Sequence, residues 1–203
     1  MEYYLCVLDF EATCWDTTSS KDKSQMEIIE FPSVLYKIDE VTSTQTFISE
    51  FAKYVKPTIN QTLSTFCTEL TGITQSVVNS AQTFIHVYRE HIKWIESNVP
   101  ANATLIFATC GHWDLRTQLP RELQNKKCKK HSYYLKYINV KDEFENFYRT
   151  KAGGMTGMLD KLGLKLDGRH HSGIDDTKNI AKIAIHLINA GLTFDNYTII
   201  QLD

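Results

Sequence analysis

The chain opens on an apolar run. Leu5-Cys6-Val7-Leu8, following Tyr3-Tyr4, reads as a buried strand over residues 3–8 that ends in two acids, Asp9 and Glu11. Residues 26–38, with "EIIEFPSVLYKI", predict a second strand, and Pro32 within it predicts a bulge or a sheet edge. Residues 44–51 alternate apolar and polar positions as a third strand does, and a turn near Asp39-Glu40 makes the three antiparallel. Helical spacing returns over 81–98, where Phe84, Val87, Tyr88, Ile92 and Ile95 share a face. Residues 103–109 ("ATLIFAT") read as a buried strand, a helix begins over 113–123, and 137–140 form a short final strand. A last helix covers 175–190, with Ile180, Ile183, Ala184 and Leu187 on one face and Gly191 as its stop. That order predicts a mixed α/β layer fold. No repeat, low-complexity tract or Pro/Gly-rich linker divides it, so residues 1–203 read as a single domain.

Composition agrees with a globular core: 42% of the residues are hydrophobic and 23% charged. No apolar run is long enough to span a bilayer, and Met1-Glu2-Tyr3-Tyr4 has no basic region of the signal-peptide kind. Five scattered cysteines form no C-x-x-C pair, which argues for free thiols in a reducing compartment, the cytoplasm with or without a nuclear share. Without a secretory signal, the N-x-T triplets at Asn60, Asn102 and Asn196 read as coincidence. A net charge of -2 is not that of a non-specific nucleic-acid binder. It leaves room for a nucleic-acid enzyme, because acids gathered in a metal site are neutralised by their cations.

The candidate chemistry lies where apolar runs stop. Asp9 and Glu11 end the first strand, Asp114 follows "TLIFATCGHW", and "GRHHSGIDD" puts His170, His171, Asp175 and Asp176 just before or at the last helix. Each has an ordinary reading taken alone. Acids at helix starts cap the helix and complement its dipole, the reading favoured for Asp175 and at least as good for Asp114. Acids ending a strand can be solvated, and isolated histidines are mostly structural or solvent-facing. Together they weigh differently. Four carboxylates and one histidine fall at strand ends and helix starts that an α/β sheet can bring to one edge. Acids so gathered repel unless protonated or bridged by cations. Hard oxygen donors select Mg²⁺ or Mn²⁺, and two such ions roughly 3.5–4 Å apart suit phosphodiester hydrolysis.

Asp9-Phe10-Glu11, Trp113-Asp114 and the H-x-x-x-x-D spacing from His171 to Asp176 resemble the three motifs of DEDDh 3'–5' exonucleases. "DFEATC", "EIIEFP", "FCTELTGI", "GHWDL" and "GRHHSGIDDTKNIAKIA" are similar to the Eri-type branch, which includes the histone-mRNA 3'-exonucleases, over most of the chain. The resemblance implies a ribonuclease H-like fold, a five-stranded mixed sheet with helices on both faces. It implies that Asp9, Glu11, Asp114 and Asp176 bind two Mg²⁺ (or Mn²⁺), Glu11 counting among the catalytic residues as well. His171 then matches the general base that deprotonates the attacking water. His170 is its rival, without the motif spacing to Asp176. Phe10, Phe66 and Trp113 match aromatics on the terminal nucleotides, where stacking grips any base, although Phe66 also reads as a core residue. Leu70 matches a wedge near the terminal bases, and Ala12 a backbone contact to the terminal 3' hydroxyl.

The chain departs from that pattern at His112, where relatives often carry Asp or Ser; it either alters the substrate rim or, the favoured reading, faces solvent. Some relatives carry an extra nucleic-acid-binding domain that 203 residues do not hold, so substrate selection falls to this domain or a partner. "NKKCKKH" (125–131) either follows a phosphate backbone or forms a solvated loop. The expected function is a metal-dependent exonuclease acting on RNA 3' ends, single-stranded or overhanging, and releasing 5'-mononucleotides. DNA is the second substrate. A catalytically silent RNA- or protein-binding scaffold is the alternative that five intact catalytic positions oppose.

Overall fold

A computed structural model of the chain describes residues 1–21 and 23–202. In chain order it contains β1 (Glu2–Leu8), β2 (Glu11–Ala12), β3 (Ile28–Asp39), β4 (Thr44–Lys56), α1 (Thr65–Thr71), α2 (Gln75–Ser80), β5 (Gln82–Thr83), α3 (Phe84–Asn98), β6 (Leu105–Thr109), α4 (Leu119–Asn125), β7 (Lys136–Asn139), α5 (Val140–Tyr148), α6 (Gly154–Leu162), α7 (Gly173–Asn189) and β8 (Ile200–Gln201). The sheet runs β5-β4-β3-β1-β6-β7-β8, with β2 paired to β3. β1, β3 and β4 are antiparallel, whereas β6 lies parallel to β1 and β7 parallel to β6.

The expected mixed α/β sheet is therefore present, but it has eight strands and not five. The five anticipated strands are its long members. β2, β5 and β8 have two residues each, too few to show a period-2 pattern. α1 and α2, of seven and six residues, likewise span under two turns and leave little helical periodicity. The strand expected last, over 137–140, is followed by β8 and stops at Asn139; Val140 opens α5, because Asn139 accepts a hydrogen bond from the Lys141 amide (3.1 Å) as a helix cap does.

From Tyr3 to Leu8, β1 is buried because both faces are covered. Tyr3, Leu5 and Val7 pack among Phe144, Met158, Ile180 and Ala184 of α5–α7. Tyr4, Cys6 and Leu8 face Val87, Tyr88 and Ile95 of α3 and Leu119 of α4. His91 is buried in that second layer between Tyr134 Oη (2.6 Å) and Ser33 Oγ (2.8 Å), its ring stacked on Phe31.

Pro32 marks neither an edge nor a bulge; the register shifts of β3 lie between Leu35 and Tyr36 against β4, and opposite Glu11 and Ala12 against β2. Pairing of β1 with β3 ends at Leu8 with Ser33 and resumes in β2 at Glu11 with Glu30. Pro32 thus faces the gap at Asp9, where the ladder needs no N–H. The missing donor and the break in the strand are one feature, and it frees Asp9 and Phe10 from sheet pairing.

α7 is fixed to this same place. Its first amides, Gly173 and Ile174, donate to the buried carboxylate of Glu30 at 3.0 and 3.2 Å. A β-carbon at Gly173 would lie 2.9 Å from Glu30 Oε2 and 3.0 Å from Pro32 Cγ. Gly173→Ala is therefore expected to lower unfolding free energy by about 1–3 kcal/mol, the usual range for overpacking. Urea denaturation followed by circular dichroism reads this, and a variant as stable as the parent would refute the close approach.

Candidate active site

Asp9 stands in the break between β1 and β2, and Glu11 begins β2 on the same side. Asp114 comes from the turn after β6. Residues Trp113–Gln118 form a π-helical turn in which the Leu119 amide reaches back to the Asp114 carbonyl, and Pro120 withholds the next α-helical donor. Asp176 lies in the first turn of α7. A sheet end, a π turn and a helix start thereby converge. Ligand oxygens of Asp9, Glu11 and Asp176 lie within 4.8 Å of one another. Asp114 joins them through the backbone: the Phe10 amide donates to Asp114 Oδ1 at 2.8 Å.

Three of the four acids are shielded from water, and Asp9 is half-buried. Glu11 is 9% exposed, Asp114 3% and Asp176 4%. Burial, then the neighbouring charges of Asp114, Glu11, Asp176 and Glu30, push Asp9 well above the usual carboxylate range. Burial, followed by Glu30, Asp176 and Asp114, raises Glu11 to about 9. Burial alone raises Asp114 to about 7, against hydrogen bonds that lower it. Burial also raises Asp176, despite its bond from the His171 amide. Such acids fit divalent cations, and one atom points to the same conclusion: Asp176 Oδ1 is buried with no hydrogen-bond partner. Its other oxygen accepts from the His171 amide at 2.9 Å.

That bond helps hold His171 in the left-handed backbone region, at φ +64°. The loop is tied further by Asp175, which accepts from the Arg169 amide at 2.9 Å. A β-carbon at Gly168 (φ +74°) would collide with that carboxylate. The capping role expected of Asp175 thus belongs to Glu30, and Asp175 closes the preceding turn instead. The imidazoles of His170 and His171 stack at 3.9 Å, and both come within reach of Asp176.

The expected substrate residues divide. Phe66 on α1 is 38% exposed, and Leu70 and Trp113 are half-buried. The Phe10 ring is not available to stack on a nucleotide: it is 5% exposed and packs edge-on against Phe31 at 4.6 Å. What Phe10 offers the site is its amide. Ala12 is buried, its carbonyl approached by Cys67 Sγ at 3.7 Å. His112 does not simply face solvent. It bonds Tyr137 Oη at 2.8 Å and pairs with Asp142 at 3.3 Å.

Two residues that position the site carried little signal in the sequence. Arg169 donates from one nitrogen to the carbonyls of Glu69 (2.7 Å) and Leu70 (2.9 Å), joining the end of α1 to the histidine loop. The Gly72 in "ELTGI" admits that guanidinium, since a β-carbon there would meet it at 2.1 Å. Glu27, buried, accepts from the amides of Thr58, Ile59 and Asn60 and from Lys126 Nζ at 2.7–2.8 Å. It holds the segment leading into α1. Lys126 therefore leaves the basic cluster for an internal ion pair.

A family model described as "Exonuclease" matches residues 6–184. The chain belongs to this exonuclease family. It is similar to 3'-5' exoribonuclease 1 of Rattus norvegicus, 39% identical over 191 residues, 93% of this chain. The chain spans 54% of that relative's length. The nuclease domain of 3'hExo, a DEDDh family member solved bound to rAMP, superposes with a TM-score of 0.88 at 36% identity, covering 98% of this chain and 97% of the other. A 3'-exonuclease solved for 3'-end-specific recognition of a histone mRNA stem-loop gives 0.84 at 37%, covering 93% and 82%. Metal dependence is general in this family.

The raised acids make stability depend on pH with a definite sign. Above neutrality, where His91 no longer contributes, the folded metal-free protein still binds protons at Glu11 that the unfolded chain has released. Its stability therefore falls as pH rises from 7 to 9. Mn²⁺, binding the ionised acids, is expected to raise the melting temperature more at pH 9 than at pH 7. Glu11→Gln is expected to flatten the metal-free slope. Differential scanning calorimetry tests both, and a metal-free slope unchanged in the variant would refute the role of Glu11.

Proposed function

We propose that the chain is a divalent-metal-dependent 3'–5' exonuclease that hydrolyses phosphodiester bonds from the 3' end of RNA and releases 5'-mononucleotides. The observation that carries this reading is the convergence of Asp9, Glu11, Asp114 and Asp176 beside the His171 loop. Residues 1–203 act as one exonuclease domain, in the cytoplasm with or without a nuclear share.

In this reading the four acids hold two Mg²⁺ (or Mn²⁺). Those ions, when bound, supply the positive charge that activates water and stabilises the leaving oxygen. The protein's part is proton transfer and alignment. His171 takes the proton of the attacking water, and burial above all lowers its pKa, keeping the ring neutral and able to accept. Phe66 and Trp113 stack on terminal bases, Leu70 wedges beside them, and the Ala12 backbone contacts the 3' hydroxyl. RNA is favoured because the rat relative is named an exoribonuclease and the 3'hExo nuclease domain was solved with rAMP. Single-stranded or overhanging ends suit a pocket built from stacking faces. DNA is the second substrate, and a silent scaffold is opposed by the intact acids and base.

His171→Ala is expected to lose about 10²–10⁴-fold in turnover while retaining Mn²⁺ and RNA binding. His170→Ala should stay near the parent rate. Rates at saturating Mg²⁺ on one short RNA test this, and the reverse order of damage would reassign the base to His170. A second expectation concerns direction. Circular RNA and RNA ending in a 3' phosphate should resist cleavage under conditions that consume the linear 3'-hydroxyl form. Rapid cutting of the circle would identify an endonuclease.

A further inference from the structure

The two histidines beside Asp176 make a donor set that magnesium chemistry does not use. Nitrogen atoms of His170 and His171 and a carboxylate oxygen of Asp176 all lie within 4.8 Å of one another, with His170 Nε2 4.0 Å from Asp176 Oδ2. Mg²⁺ and Mn²⁺ prefer oxygen ligands, whereas two imidazoles and one carboxylate suit Zn²⁺. We propose that His170, His171 and Asp176 form an inhibitory Zn²⁺ site overlapping the catalytic centre.

The geometry needs little change to close on an ion. Zinc bonds of about 2.0–2.1 Å in a tetrahedron put donor atoms roughly 3.3 Å apart. His171 and Asp176 are already tied by the 2.9 Å amide bond, and Asp176 Oδ1 has no competing partner. His170 is the movable member: its side chain is 43% exposed and stacks on its neighbour. A rotation of that ring draws in the third donor, and water completes the four-coordinate set. His170 thereby gains a use that the hydrolytic reaction does not give it.

Occupancy would oppose catalysis in two ways. Zinc takes the lone pair of His171 that accepts the proton, and it takes Asp176 from the hard-metal set. The inhibition, though not the binding, rests on the catalytic roles proposed above for His171 and Asp176. At saturating Mg²⁺, a calorimetric titration of Zn²⁺ into the parent protein is expected to show one equivalent bound, at least tenfold tighter than in His170→Ala. The inhibitory Zn²⁺ concentration for RNA hydrolysis should rise by the same factor in that variant, whose Mg²⁺-supported rate stays near the parent's. Circular dichroism checks that the variant is folded. Equal zinc affinity in the two proteins would overturn the site. A tenfold loss of affinity with unchanged inhibition would keep the zinc site and overturn its inhibitory role.

Discussion

Electrostatic crowding governs this molecule. Asp9, Glu11, Asp114, Asp176 and Glu30 come from three regions of the chain and meet where little water reaches them. Without cations, such a group keeps its acids close only by holding protons. The scaffold must therefore be strong enough to hold the carboxylates against mutual repulsion, and open enough to release them to metal. The fold does this with backbone donors. Asp114 receives the Phe10 amide, Asp176 the His171 amide, and Glu30 the first amides of α7. Each bond ties one element of the site to another.

Glu30 is central to that arrangement. It lies opposite Glu11 on β3 and caps a helix that begins 143 residues later. A carboxylate at a helix N-terminus is stabilised by the helix dipole and in turn fixes the helix on the sheet. Gly173 allows the approach, and Pro32 beside it leaves the ladder open where Asp9 departs. The second tie runs through Arg169, which joins the end of α1 to the loop carrying His171. The helix bearing Phe66 and Leu70 therefore cannot shift without pulling on the histidine loop.

Legibility in the sequence followed how many positions each element buries. β1, β3, β6, α3 and α7 print their period and emerged close to their observed bounds, whereas β4, with Phe51 and Val55 its buried residues, runs to Lys56, past the expected end at 51. The terminal Gly191 was also legible, since its φ of +107° needs a glycine. The acids and the histidine stood out because charged residues at the end of an apolar run are unusual. β2, β5, β8, α1 and α2 left no such mark, and the nine-residue helices α5 and α6 also went unread. The Phe10 ring also escaped, because an aromatic beside an active acid reads as a stacking group until its neighbour Phe31 is known.

The sequence by itself determined the fold class and the order of the long strands, and it singled out four acids and one histidine as candidates, because periodicity and motif spacing are local properties of the chain. Only the tertiary structure decided which acid does which work. Asp175 and Asp176 are adjacent in the chain, yet one closes a turn and the other enters the acid cluster, since successive helical residues point about 100° apart. Glu27 and Glu30 read alike within "EIIEFP". One anchors the segment before α1 and the other caps α7, because their partners lie 31–33 and 143–144 residues away along the chain. Contacts at that separation are set by how the sheet packs, and no local pattern encodes them.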